Sequence, residues 1–351
     1  MPRLRRVNCS GPGIARRRRG RGFEYIDEET GERADDPEDV ARIKDLGIPP
    51  AWKDVWICPD PMGHIQATGI DAAGRKQYIY HQKWREREDQ KKFDHMLEFA
   101  RVLPKMRWTW NEHLALDGVP KERILACSAR LLDLGFFRIG TEGYAEQNQS
   151  YGLATIRKSH VTLADGIITF DYRAKSGKRR IQKVVDPIVF EIVGDLRRRR
   201  AGGPELLAYK DKGHWVDVKS SDINDYLKSL TGETFTAKDF RTWNATVLAA
   251  VSLVPFVGAK SKTARTKAVS QAIKDVARYL GNTPAVCRAS YIDPRVFDRF
   301  RSGWTIWPAL EGLGGGGPEA LNELETQEIV EEAVIDLIED RRDSEALEKT
   351  A

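Results

Sequence analysis

Residues 75–103 read RKQYIYHQKWREREDQKKFDHMLEFARVL, and the periodicity of the chain changes inside them. Through Tyr80 the run is short, rich in aromatic and β-branched residues, and reads as a strand. Beyond Trp84 the apolar residues Phe93, Met96, Leu97 and Ala100 recur at intervals of three and four, the spacing of one helix face. Upstream, VWIC (55–58) and HIQATG (64–69) read as further strands, separated by Pro, Gly and Asp turns. Downstream, helices are predicted over 121–137, 186–200, 220–230, 237–253 and 263–281. Ser220 or Ser221 and Thr236 are the expected N-caps among them. Only VTLADGIITFDYRAKSGKRRIQ (161–182) interrupts this series, with the alternation of a β-hairpin. The fold class is therefore α+β, a small N-terminal β-sheet domain followed by a mostly helical domain containing a β-hairpin.

Four segments follow from this reading: a basic flexible arm over 1–22, a β-rich domain over 23–88, a helical domain over 89–311, and a Gly-rich linker with an acidic helix or tail over 312–351. The arm holds eight Arg and no acid. Residues 318–351 carry twelve acids against Arg341, Arg342 and Lys349, a net of −9. The total of +5 therefore leaves +14 on residues 1–317. Such a body attracts polyanions by releasing their counterions, with little sequence preference.

Composition excludes several classes. At 41% apolar residues with nine Trp, a wholly disordered chain is not expected. No apolar run approaches the roughly 20 residues that cross a bilayer, and the N-terminus lacks a secretory apolar stretch. Cys9, Cys58, Cys127 and Cys287 are scattered, so neither a disulfide framework nor a zinc site is suggested, and a reducing cytoplasm is the expected home. No phosphate-binding G-x-x-x-x-G-K-[ST] loop is present, so use of ATP or another nucleotide is not expected. The six His lack helical metal-pair spacing and no D-x-D pair occurs, so neither metal nor cofactor is expected. A phosphodiester enzyme made from this chain would use organic cations.

Four segments carry such groups: GFFRIGTEGYAEQNQSYGLATIRKSHV (135–161), TFDYRAKSGKRR (169–180), AKDFRTWNATV (237–247) and LGNTPAVCRASYIDPRV (280–296). In this order, and with PPAWKDVWICPDPMGHIQATGIDAAGRKQYIYH (49–81) before them, the chain closely resembles the type IB DNA topoisomerases, in the compact form of bacteria and poxviruses. The resemblance runs from about Ile48 to Phe300. It implies a C-shaped clamp on double-stranded DNA and relaxation of supercoils through a transient 3′-phosphotyrosyl link, strand swivelling and religation.

Residue by residue, the resemblance implies that Tyr291 is the nucleophile. Arg138 and Arg241 match the family's two catalytic arginines. Guanidinium groups stay protonated and donate parallel hydrogen bonds, which suits the charge on a pentacoordinate phosphate. Lys175 matches the hairpin Lys that acts as general acid on the departing 5′ oxygen; Lys178 lies close enough to leave that alignment open. Asn282 stands where the poxvirus and eukaryotic relatives carry His; it can donate a hydrogen bond but not carry charge. Gln77, Tyr78 and Tyr80, with Arg75 and Lys76 beside them, match DNA contacts of the β domain, and Tyr144 matches a phosphate contact near the site. For Tyr78 and Tyr80, cross-strand packing is the ordinary alternative.

Two rival readings are open to the sequence. A tyrosine recombinase shares the chemistry, but its usual H-x-x-R around the second Arg is here Lys238 to Arg241. A non-catalytic DNA-binding protein would not need every catalytic position filled. The resemblance implies no partner besides DNA; a monomer suffices for one cut, and the expected location is the nucleoid.

Overall fold

The computed structural model describes residues 3–232, 234–311 and 324–350. The chain divides into two compact units, Met1–Phe93 and Asp94–Ala351. The first holds β1 (Ile14–Arg19), β2 (Gly22–Asp27), α1 (Pro37–Asp45), β3 (Lys53–Ile57), β4 (Ile65–Ile70) and β5 (Lys76–Tyr80). The strands form one antiparallel sheet in the order β2-β1-β3-β4-β5. Ile14, Val55, Ile57 and Ala67 bury a core with Ile43 of α1, and Trp52 and Ile79 pack on it. Helix α1 begins where Asp36 accepts from the amides of Glu38 (2.9 Å) and Asp39 (3.2 Å), with Pro37 in the first turn.

One expectation is corrected here. The basic arm is not free: IARRRR is β1, paired along its length with β2. Arg16 explains how an Arg-rich strand is held, since its guanidinium donates to the carbonyls of Ile48 (3.2 Å), Pro49 (3.1 Å) and Trp52 (2.8 Å). Asp36, Glu38 and Asp39 cap and complement the N-terminus of α1.

Helix α2 (Gln82–Leu114) runs from the first unit into the second. There follow α3 (Lys121–Gly135), α4 (Glu142–Asn148), β6 (Val161–Ala164), β7 (Ile167–Arg173), β8 (Arg179–Val185), α5 (Pro187–Arg198), β9 (Ala208–Asp211) and β10 (His214–Asp217). After them come α6 (Ser220–Thr231), α7 (Ala237–Leu253), α8 (Lys262–Leu280), α9 (Pro284–Ser290), α10 (Pro294–Arg301), β11 (Trp304–Thr305), α11 (Trp307–Glu311), α12 (Leu324–Glu339) and β12 (Glu348–Lys349). The predicted hairpin is β7–β8, with β6 completing a three-stranded sheet.

Helix α7 organises this unit. Thr236 caps it: its hydroxyl accepts from the Lys238 amide, and Asp239 accepts from the Thr236 amide at 2.8 Å. From Phe240 to Leu253 every residue is buried, against α3, α6, α8, α10 and α12. Phe240 meets Phe99 and Trp110 of α2. The cap of α6 differs from expectation. Lys219 precedes the helix and Asp222 accepts from its amide, while Glu142 accepts from the Ser220 amide. Ser220 is therefore held by a distant carboxylate rather than acting as the cap.

The acidic C-terminal stretch, expected as a helix or tail, is a helix packed into the fold. The Gly-rich stretch lies outside the described residues, but α12 buries Val330, Ala333, Val334, Leu337 and Ile338 in the unit's core. Glu331 chelates buried Arg107 through two bonds of 2.7 and 2.8 Å. Asp133 binds the same guanidinium at 3.0 and 2.9 Å. Arg130 joins Asp133 to Asp186. Burial opposes the charge on Arg107, but the two carboxylates outweigh it and raise its pKa above the ordinary value. The tail is thus wired into the fold by a satisfied ion cluster.

Candidate active site

A helix buried all round cannot carry an Arg cheaply unless its donors find acceptors. Arg241, 4% exposed, sits on α7 in that situation. Its guanidinium donates to the carbonyl of Phe136 and to that of Leu280 (3.1 Å). Both carbonyls end helices. Phe136 closes α3 in a left-handed conformation (φ 52°), and Leu280 is the last residue of α8, before Gly281 (φ 64°). The two helix ends lead directly into Arg138 and Asn282, so Arg241 ties together the segments that carry them. Burial, then repulsion from Arg138, push the pKa of Arg241 down to about 10, which leaves it charged at neutral pH.

Arg138 donates to Asn282 Oδ1 across the gap between those segments. Asn282 thereby turns its acceptor to the protein and keeps its donor: Nδ2 is buried without a hydrogen-bond partner among the described residues. Arg241 Nε is in the same state. A buried donor left unpaired costs about 1–3 kcal/mol, so a site holding two of them is built for an acceptor from outside.

Lys175 and Lys178 flank the hairpin turn, where Ser176 (φ 65°) and Gly177 (φ 70°) reverse the chain. Both are exposed, and both line one cavity of about 360 Å³ with Arg138, Arg179, Arg180, Lys274, Arg278 and Asn282. The two lysines remain equivalent in this respect. No carboxylate among the described residues lines that cavity. Among the described residues Arg138, Lys175, Lys178, Arg180 and Arg241 make no ion pair, although the chain has acids in plenty. Cationic groups kept free of counter-ions make an anion site.

Tyr291 follows α9 and is held from both sides. Its amide donates to Cys287 O at 3.0 Å, as does that of fully buried Ile292 at 3.2 Å. Asp293, also fully buried, caps α10 and accepts from Arg295. The Tyr291 ring lies 5.3 Å from the Arg241 guanidinium carbon, so a cation faces the phenol. Tyr291 and Arg241 do not line the 360 Å³ cavity itself; Arg241 is tied to it by its bonds to the Phe136 and Leu280 carbonyls, two residues before Arg138 and Asn282. Nearby Tyr172 is no rival phenol, for burial pushes its pKa up to about 12 and its hydroxyl donates to Gln182. Burial likewise holds the Cys287 thiol above its ordinary pKa, against the pull of Arg241.

The other sequence-predicted positions are Tyr144 and the residues of β5 and the turn before it. Tyr144 is exposed on α4 and does not line the 360 Å³ cavity. In the first unit, Tyr78 and Tyr80 stand on the edge strand β5, 42% and 38% exposed, with rings stacked 5.9 Å apart. Lys76 lies over the Tyr78 ring at 5.8 Å. Gln77 and Arg75 both donate to Asp71, and the side-chain and backbone hydrogen bonds from Arg75 pull the Asp71 carboxyl down to about 2. Sequence reasoning passed over Arg180, Lys274 and Arg278. Basic density in KSGKRR was a signal for the first; Lys274 and Arg278 look like the ordinary polar face of α8.

The arrangement, a tyrosine beside guanidiniums with unfilled donors, can host an anionic phosphate ester, and comparison with known proteins gives the class. Residues 22–71 match the family model of the bacterial DNA topoisomerase IB N-terminal domain, and residues 81–301 that of the eukaryotic DNA topoisomerase I catalytic core. The chain belongs to the type IB DNA topoisomerases; it is an isomerase and its substrate is DNA. Among its relatives is DNA topoisomerase 1B of Acanthamoeba polyphaga mimivirus, 32% identical over 288 residues, covering 80% of this chain and 85% of that protein. DNA topoisomerase 1 of Candidozyma auris is 27% identical over 230 residues, 60% of this chain but 28% of the relative. DNA topoisomerase 1 of Schizosaccharomyces pombe is 26% identical over 167 residues, 47% and 19%. Among the described residues no helix is long and apolar enough to cross a membrane.

Proposed function

We propose that the protein relaxes supercoiled DNA by nicking one strand with Tyr291, without ATP or metal, and resealing it after the free end has swivelled. Tyr291 Oη bonds to phosphorus as the bond to the 5′ oxygen breaks. The phenol proton passes to solvent and Lys175 protonates the leaving oxygen, so a 3′-phosphotyrosyl ester holds the cut strand. Religation runs the same steps backwards, which conserves the bond and needs no nucleotide. Arg138, Arg241 and Asn282 receive the charge that builds on the non-bridging oxygens. Both units contribute contacts to the duplex: Tyr144 a phosphate, and Arg75, Lys76, Gln77, Tyr78 and Tyr80 groove edges and phosphates. The enzyme works as a monomer in the compartment that holds DNA, the nucleoid.

The observation that carries this reading is the pair of unfilled buried donors, Arg241 Nε and Asn282 Nδ2, among unpaired cations next to Tyr291. The test is plasmid relaxation without ATP and with EDTA. Wild type is expected to relax supercoils of either sign; a protein that binds the plasmid yet never relaxes it would be architectural instead.

A further inference from the structure

Lys175 is placed at the tip of a hairpin, and an acid on a loose tip would protonate poorly. Something must fix the hairpin against the helix end that presents Asn282. Midway along the hairpin there is one anchor to α3: Tyr172 donates to Gln182 at 2.6 Å, and Gln182 donates on to the Gly135 carbonyl. Nearer the tip, Arg179 pairs only with Asp171 of the same hairpin.

Arg180 is the exception. It sits opposite Tyr172, five residues beyond Lys175. Its guanidinium donates to the carbonyls of Arg278 (3.3 Å) and Tyr279, in the last turn of α8. Among the described residues these are the only side-chain hydrogen bonds between the hairpin and α8. A helix C-terminus carries partial negative charge on such carbonyls and favours a cation there. The group also lies over the cap: a Cβ added to Gly281 would stand 2.7 Å from Arg180 Nη1. Gly281, with φ at +64°, therefore both turns the chain and leaves room for the guanidinium, one residue before Asn282. Burial, with repulsion from Arg138, works against the charge on Arg180, yet it has no carboxylate partner.

We propose that Arg180 is a positioning residue for catalysis, clasping the hairpin to the C-terminus of α8 so that Lys175 is held at the phosphodiester that Asn282 contacts. This rests on the reading of Lys175 as general acid. A fork donating to two carbonyls suits Arg and not Lys.

The test is single-turnover cleavage by wild type, Lys175→Ala, Arg180→Ala and Arg180→Lys. Each is run on ordinary duplex and on duplex with a 5′-bridging phosphorothiolate, whose sulfur leaves without a proton. Arg180→Ala is expected to lose about 10–100-fold on ordinary DNA, as misplacement of an acid does. On the phosphorothiolate it should come within about threefold of wild type. Arg180→Lys should show the same asymmetry at smaller amplitude, and carries the test if the Ala protein melts early. Equal loss on both substrates would assign Arg180 to the phosphate itself, and no loss on either would leave it idle; each overturns the proposal. Lys175→Ala separates the two readings. If it fails to recover on the phosphorothiolate, the acid assignment falls; if it recovers and Arg180→Ala does not, only the clasp falls.

Discussion

Two arginine clusters lie in the same helical unit, and they are opposites. Around Arg107 and Arg130 every guanidinium meets carboxylates, from Asp133, Asp186 and Glu331, within 2.7–3.3 Å. Around Arg138, Arg180 and Arg241 the hydrogen-bond partners among the described residues are backbone carbonyls and one amide oxygen, with no carboxylate. Burial alone does not separate them, since Arg107 is 1% exposed and Arg241 4%. Their electrostatics do. Carboxylates raise the pKa of Arg107, whereas burial and mutual repulsion lower those of Arg241 and Arg180. A paired cluster holds a fold together; an unpaired one keeps its charge for a ligand and is destabilising until the ligand arrives.

The contrast can be broken by removing one member of each cluster. Arg107→Ala leaves Glu331 buried without its cation and Asp133 with Arg130 alone, and is expected to cost about 3–5 kcal/mol of stability. That should lower Tm by roughly 10 °C in a thermal melt and loosen α12. Arg138→Ala and Arg241→Ala are expected to slow strand cleavage by about 10²–10³-fold. In melts without DNA, Arg138→Ala should hold or gain Tm, because it relieves repulsion on its neighbours. A clear loss of Tm there would place Arg138 with the structural cluster. Asn282→Ala removes a donor without charge, so cleavage should fall by about 10–100-fold, less than for either Arg. An equal or larger loss would mean that charge is not what ranks these groups.

The smallest effect is expected at Asp71, where one carboxylate occupies two presumed DNA-contacting side chains. Its folded pKa of about 2 lies below the ordinary 3.8. It therefore contributes stability above that ordinary value, lost as pH falls through about 2. Acid titration followed by Trp fluorescence should show this for wild type and not for Asp71→Asn. The same variant removes the carboxylate charge that Arg75 meets at Asp71, and should steepen the salt dependence of DNA binding by up to about one counterion. An unchanged slope would remove Arg75 from the DNA contacts.

What the sequence made legible, and what it hid, follows from range. The switch from strand to helix after Tyr80, the hairpin and the α7 cap at Thr236 all rest on local periodicity or short spacing, and all are present. The strand β1 was hidden because four consecutive Arg read as solvated; only carbonyls more than 30 residues away show how Arg16 is held. Helix α12 carried a readable apolar face at Val330, Val334, Leu337 and Ile338, outvoted by the acids around it. Its clamp on Arg107 spans 224 residues and has no local signature. Of the candidate site, the residue types were legible by resemblance. Their unpaired state was not, since it depends on which carboxylates fail to come near.

The most direct test of Tyr291 at a phosphodiester site is to incubate wild type and Tyr291→Phe with a nicked suicide duplex labelled at either end. The trapped adduct is then digested and its peptide sequenced. Wild type is expected to yield one peptide, CRASYIDPR or a fragment of it, bearing the 3′-phosphoryl end at Tyr291, and Tyr291→Phe none, with cleavage down by at least about 10⁴-fold. A 5′-linked adduct, a peptide modified elsewhere, or cleavage surviving in Tyr291→Phe would contradict it.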